Sequence, residues 1–177
     1  MAQPNFKMMW DAFPDHSLYP NLRVLFKFIG GTLINNIDVP GFGENGNTCA
    51  VRMSRALNYG NLPISAKLVK SLKIDKMTGS DGKLYIFRVS ELKTYLKTAL
   101  GGTPITVTKD FAKAFLNKKG IVAFEVKGWT DASGHLALWD GSAFREPEHD
   151  DYRKLKDDPK TTAVEPYTTK MTLWEQP

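Results

Sequence analysis

A chain of 177 residues, 42% hydrophobic and 24% charged, is long enough for one buried core, and its balance excludes a disordered protein. Its single cysteine, Cys49, excludes an intramolecular disulfide, and no apolar run approaches a membrane span, since 22–34 is broken by Arg23, Lys27 and the Gly30-Gly31 pair. The net charge of +5 is spread over 24 basic and 19 acidic residues without a recognisable binding motif, so specific nucleic-acid binding is not expected.

The first 20 residues carry no apolar segment of the kind a secretory signal needs. Residues 19–29 are predicted to be helical: Pro20 suits a first helical position, Leu22, Leu25, Phe26 and Ile29 form one stripe, and Gly30-Gly31 stops it. After a polar, glycine-rich stretch, Ala50, Met53 and Leu57 share a face of a second helix that opens at Cys49. A short apolar run at 84–89 precedes predicted helices at 90–100 and 108–119, the latter with Phe111, Phe115 and Leu116 as its core stripe. Residues 121–126, 135–139 and 167–173 read as strands, with a polar loop at 157–162. Helices first and strands last predict one α+β domain over residues 1–177, with N-terminal helices packed on a small antiparallel sheet.

Three local patterns bear on chemistry. Gly41-Phe42-Gly43-Glu44-Asn45-Gly46 satisfies G-x-G-x-x-G, but Val39-Pro40 is a poor end for a buried strand and no acidic residue follows at ribose-binding distance, so a loop beside a substrate is the better reading. Cys49 opens a helix, where unpaired N–H groups and the macrodipole favour a thiolate and the Cys49 N–H can serve a developing oxyanion. Of three histidines, His16 and His149 lie in polar segments, whereas His135 leads an apolar strand behind Gly134, which permits close approach of another backbone. The helix-opening thiol with a strand histidine is a nucleophile and base pattern.

An acid partner follows from strand pairing. With Asp140-Gly141 as a two-residue hairpin loop, Trp139 faces Ser142 and His135 faces Glu146, about 5 Å apart at Cβ. Asp140 is the rival, although an odd spacing puts it on the opposite face from His135. A bulge would bring Glu148, Asp150 or Asp151 into play. Joining His135, Glu146 and His149 as a zinc site matches no standard spacing, and neither a metal nor another cofactor is expected.

The segments 47–54 (Asn-Thr-Cys-Ala-Val-Arg-Met-Ser) and 134–141 (Gly-His-Leu-Ala-Leu-Trp-Asp-Gly) resemble the type VI secretion amidase effector family 4. The resemblance spans most of the chain and implies a papain-like, NlpC-type fold. It also implies a cysteine amidase that cuts peptidoglycan stems between D-glutamate and meso-diaminopimelate. The family's acid, usually Asp, lies eleven residues beyond the histidine, here Glu146. Gly43, Asn47 and Trp139 are expected to border the substrate. Export through the type VI apparatus from a Gram-negative cytoplasm, action in a neighbour's periplasm and a cognate immunity protein are further implications, with oligomeric state open between monomer and homodimer. The competing classes are a basic module that binds polyanions without catalysis and a Cys–His acyltransferase of other specificity.

Overall fold

The computed structural model describes residues 3–39, 46–128, 134–155 and 165–177. The chain divides into two compact units, Met1–Gly101 and Gly102–Pro177. Gly43, most of the glycine-rich loop and the segment 157–162 lie outside the described residues.

The first unit is mainly helical. Helix α1 (Phe6–Ala12) is capped by Asn5, and α2 (Leu22–Ile29) by Asn21, whose side chain accepts from the Val24 N–H at 3.0 Å. Pro20, expected inside this helix, instead precedes its cap, because Asn21 supplies the acceptor that an N-terminus needs. The predicted stripe of Leu22, Leu25, Phe26 and Ile29 is buried, and the helix stops at Gly30 and Gly31, with φ of 72° and 65°. Only glycine fits at Gly31, where a Cβ would lie 2.1 Å from the Thr78 carbonyl oxygen. Helix α3 (Cys49–Tyr59) starts at the expected residue. Beyond it come α4 (Ala66–Ser71), a short antiparallel pair β1 (Met77–Thr78) and β2 (Leu84–Tyr85), and α5 (Val89–Ala99), which matches the predicted 90–100.

Polar residues fix α3 where a purely apolar helix could slide. Ser54 Oγ donates to the Ile86 carbonyl and accepts from the Ile86 N–H, both at 3.0 Å. Asn58 donates to Leu84 O at 2.8 Å and accepts from Ile64 N at 2.9 Å. Both side chains complete backbone groups that burial would otherwise leave unpaired.

In the second unit β3 (Ile105–Val107), β4 (Gly120–Lys127), β5 (Gly134–Trp139) and β6 (Tyr167–Glu175) form an antiparallel sheet in the order β3-β6-β4-β5. Its core includes Phe115, Val122, Phe124, Ala137 and Leu173. The helix expected over 108–119 shrinks to one turn, α6 (Phe111–Ala114). Asp110 and Asn117 flank it with φ of 55° and 60°, left-handed values that break a helix at both ends, while the β-branched residues before it pair with β6. Of its expected core stripe only Phe115 is buried; Phe111 is half-buried and Leu116 exposed.

The predicted hairpin also has a different register. Trp139 bridges to Phe144 rather than Ser142, and His135 pairs with Phe124 of β4 rather than with Glu146. Asp140 Oδ1 accepts from the Ser142 and Ala143 N–H groups and from the Ser142 hydroxyl, which makes a wider turn than a two-residue loop. Pro147 then starts a helical turn, α7 (Pro147–Asp150), where a returning strand was expected.

Gly134 justifies its expected role: an added Cβ would meet the Phe124 carbonyl oxygen at 2.1 Å. Gly134→Ala should therefore lower unfolding stability by about 2 kcal/mol in urea titration, as strain at a packed backbone contact does.

Candidate functional site

Cys49 is the first residue of α3 and 5% exposed. Thr48 before it does not cap the helix through its side chain. Asn47 does that work, its Oδ1 accepting from the Cys49 N–H at 3.0 Å. The donor expected to serve an oxyanion is thus held by a side-chain amide, which a substrate oxygen would have to share or displace.

One turn further on, Arg52 is 1% exposed. Its guanidinium donates through Nε to Thr48 Oγ1 at 2.9 Å, and through its terminal nitrogens to Pro14 O at 2.5 Å and Tyr19 O at 2.6 Å. The planar fork suits several fixed oxygens at once and ties 14–19 to the turn that carries the thiol. Nothing in the sequence reading singled out Arg52, although a charged residue between Val51 and Met53 on a helix with buried neighbours was a usable signal.

In the second unit His135 lies on β5, every residue of which is buried. Its Nε2 is 2.8 Å from Asp150 Oδ1, with the two side chains 6% and 1% exposed. A carboxylate only accepts, so Nε2 carries the hydrogen and Nδ1 becomes the basic nitrogen of the neutral ring. Asp150 Oδ2 accepts from the Glu146 N–H at 3.3 Å. The turn of α7 explains this reach: Asp150 lies four residues beyond Glu146, its N–H donates to Glu146 O at 2.7 Å, and its side chain folds back over the start of the same turn.

The register changes which carboxylate reaches His135. Glu146 acts at this pair through its backbone, as the residue before α7, and the buried carboxylate on His135 is that of Asp150, an alternative named for a shifted pairing. Glu148 is exposed on α7. Asp140 is committed to its turn; slight burial pushes its carboxyl up, but the Ala143 and Ser142 N–H groups and the Ser142 hydroxyl hold it below 3.8. Trp139, expected beside substrate, is 3% exposed and donates its indole N–H to Phe115 O at 3.0 Å, which makes it a packing residue of the sheet. Asn47 is exposed beside Cys49 and Gly43 lies outside the described residues. Beyond Asp150, Asp151 and Arg153 form a bidentate pair at 2.6 and 2.9 Å, and the Arg153 guanidinium lies over the rings of Trp139 and Phe144.

No helix among the described residues is long and apolar enough to cross a membrane, and no group of three His, Cys, Asp or Glu side chains there could hold a metal. Helices followed by a small antiparallel sheet, a thiol at a helix start and a histidine fixed by a buried carboxylate mark a papain-like, NlpC-type α+β protein. The chain belongs to the family described as type VI secretion system (T6SS), amidase effector protein 4 (Tae4), whose model matches residues 45–174. Solved structures agree. Tae4 of Enterobacter cloacae in its Tae4–Tai4 effector–immunity complex is 32% identical, with 99% of each chain covered and a TM-score of 0.77. Tae4 from the Salmonella typhimurium effector–immunity system is 30% identical, again with 99% of each chain covered and a TM-score of 0.77. A comparison with curated protein sequences finds no match.

Two outcomes follow from these contacts. Asp150→Ala should cost about 2 kcal/mol in urea titration by leaving buried donors unpaired, whereas Glu146→Gln, which keeps the backbone, should stay within about 0.5 kcal/mol. Because the Asp140 carboxyl is depressed on folding, its stabilising contribution is present above its unfolded value near 3.8 and lost as pH falls through the lower folded value. The Tm deficit of Asp140→Ala should accordingly be full at pH 6 and shrink below about pH 4, as followed by circular dichroism.

Proposed function

We propose that this chain is a cysteine amidase toxin that cuts the γ-D-glutamyl–meso-diaminopimelate bond of peptidoglycan stems, with Cys49 as nucleophile, His135 as base and Asp150 as the group that orients His135. The observation that carries the reading is the 2.8 Å contact between His135 Nε2 and the buried Asp150 carboxylate, an arrangement that keeps Nδ1 basic. Membership of an amidase effector family supports the amide bond as target. Its two units work as one amidase domain in this reading.

Proton and electron flow follow from the tautomer. Nδ1 takes the thiol proton, and the Cys49 sulfur attacks the γ-carbonyl carbon. The oxyanion takes over the Cys49 N–H from Asn47 Oδ1. Nδ1–H then passes its proton to the diaminopimelate nitrogen as the C–N bond breaks, leaving a thioester on Cys49. Water, deprotonated by Nδ1, attacks the thioester carbonyl; the C–S bond breaks to release the glutamyl γ-carboxylate, and Nδ1–H returns its proton to the Cys49 sulfur. Asp150 stabilises the intermediate imidazolium without taking its proton.

Relatives crystallised with Tai4 support a cognate immunity protein for this chain as well, and the family description supports delivery by a type VI apparatus; a peptidoglycan substrate puts its action in the target cell's periplasm. Digestion of purified sacculi, with fragments identified by mass spectrometry, tests the reading. Cys49→Ala should abolish release, Asp150→Asn should lower kcat by roughly 10²-fold or more, and Glu146→Gln should stay within a few-fold of wild type. Persistent activity of Cys49→Ala would overturn the cysteine mechanism, and a collapse confined to Glu146→Gln would move the acid to that residue. Fragments ending elsewhere than at D-glutamate would contradict the bond assignment.

A further inference from the structure

A single hydrogen bond leaves an imidazole incompletely fixed. The torsion about Cβ–Cγ of histidine is a broad, soft rotor, so a partner at Nε2 pins one atom while the ring can still rock about it. Tyr152 meets this need. Its ring stacks on the His135 ring with centroids 4.2 Å apart and planes 22° from parallel. Phe124, the β4 neighbour of His135, packs against both rings, at 5.6 Å from Tyr152 and 6.1 Å from His135.

We propose that Tyr152 is a positioning residue for His135, its ring face fixing the imidazole plane and covering the His135–Asp150 hydrogen bond. One spacing and two contacts converge on this assignment. Asp150 and Tyr152 are two residues apart, so one short strap supplies both the carboxylate and the ring. That strap is tied to the sheet by the Thr168 hydroxyl of β6, which donates to Tyr152 O at 2.6 Å. The bidentate Asp151–Arg153 pair between and beyond them stiffens the same segment. The assignment rests on the proposed role of His135 as base.

The downfield imidazole N–H resonance of His135 in proton NMR reads the clamp without any substrate, and kcat and KM on wall fragments read its consequence. Wild type and Tyr152→Phe should both show a slowly exchanging Nε2–H signal and similar kcat. Tyr152→Leu should broaden that signal through exchange with water and lower kcat about tenfold, with KM within about twofold of wild type. Thr168→Val, which keeps the ring and loosens its tether, should shift both readouts in the same direction by less. It carries the comparison should Tyr152→Leu fail to fold by circular dichroism. Tyr152→Leu, or Thr168→Val in its place, with an unchanged resonance and kcat would overturn the proposal, as would a Tyr152→Phe variant as impaired as Tyr152→Leu. A wild type that does not cut wall fragments would overturn the proposed function instead, while the resonance would still decide whether Tyr152 holds His135.

Discussion

A carboxylate almost wholly shut off from water, that of Asp150, is the constraint around which the second unit is arranged. Isolated in an apolar interior such a group costs several kcal/mol, and it is tolerated only when its oxygens are paired. His135 Nε2 satisfies one and the Glu146 N–H the other. Meeting both demands requires the chain to turn sharply after β5 and curl into one helical turn. Asp140 and Pro147 bring this about, the first by drawing three donors into a turn and the second by starting α7 where a ladder would have continued.

The first unit solves a related problem with backbone partners. Helix α3 buries Arg52, Ser54 and Asn58, and each bonds main-chain groups. These contacts fix the helix along its axis as well as about it, and so fix where Cys49 begins. Apolar packing alone tolerates small slides between neighbours, whereas directional bonds to fixed carbonyls do not. The thiol therefore sits at a helix start that the surrounding polar contacts define.

Local signals carried the helices: the stripe from Leu22 to Ile29, the Gly30-Gly31 stop and the helix opening at Cys49 depend on neighbours within a few positions. So did the order of helices before strands, from which the α+β class followed. The 108–119 helix failed because Asp110 and Asn117 adopt left-handed backbone that side-chain periodicity does not reveal. His135 was legible as the base candidate, but its partner was not, since Glu146 required a two-residue hairpin and Asp140 builds a wider turn. The sequence Glu-Pro-Glu-His at 146–149 held a usable signal, because proline favours a first helical position, and one helical turn from Glu146 ends at Asp150. Tyr152 and Arg52 were missed because their roles depend on contacts distant in sequence: Tyr152 with His135 and Thr168, and Arg52 with Pro14 and Tyr19.

The central claim is that Cys49 becomes covalently acylated, with His135 held by Asp150 as its base. Reaction with an activated γ-ester of an L-alanyl-D-glutamyl stem fragment, for which acylation outruns deacylation, tests it most directly when followed by intact-mass and peptide mapping. The account predicts a burst of leaving group equal to the protein present and a mass gain, by the acyl group, confined to the peptide that contains Cys49. Steady turnover without a burst, on a protein whose Cys49 stays unmodified throughout, would contradict it.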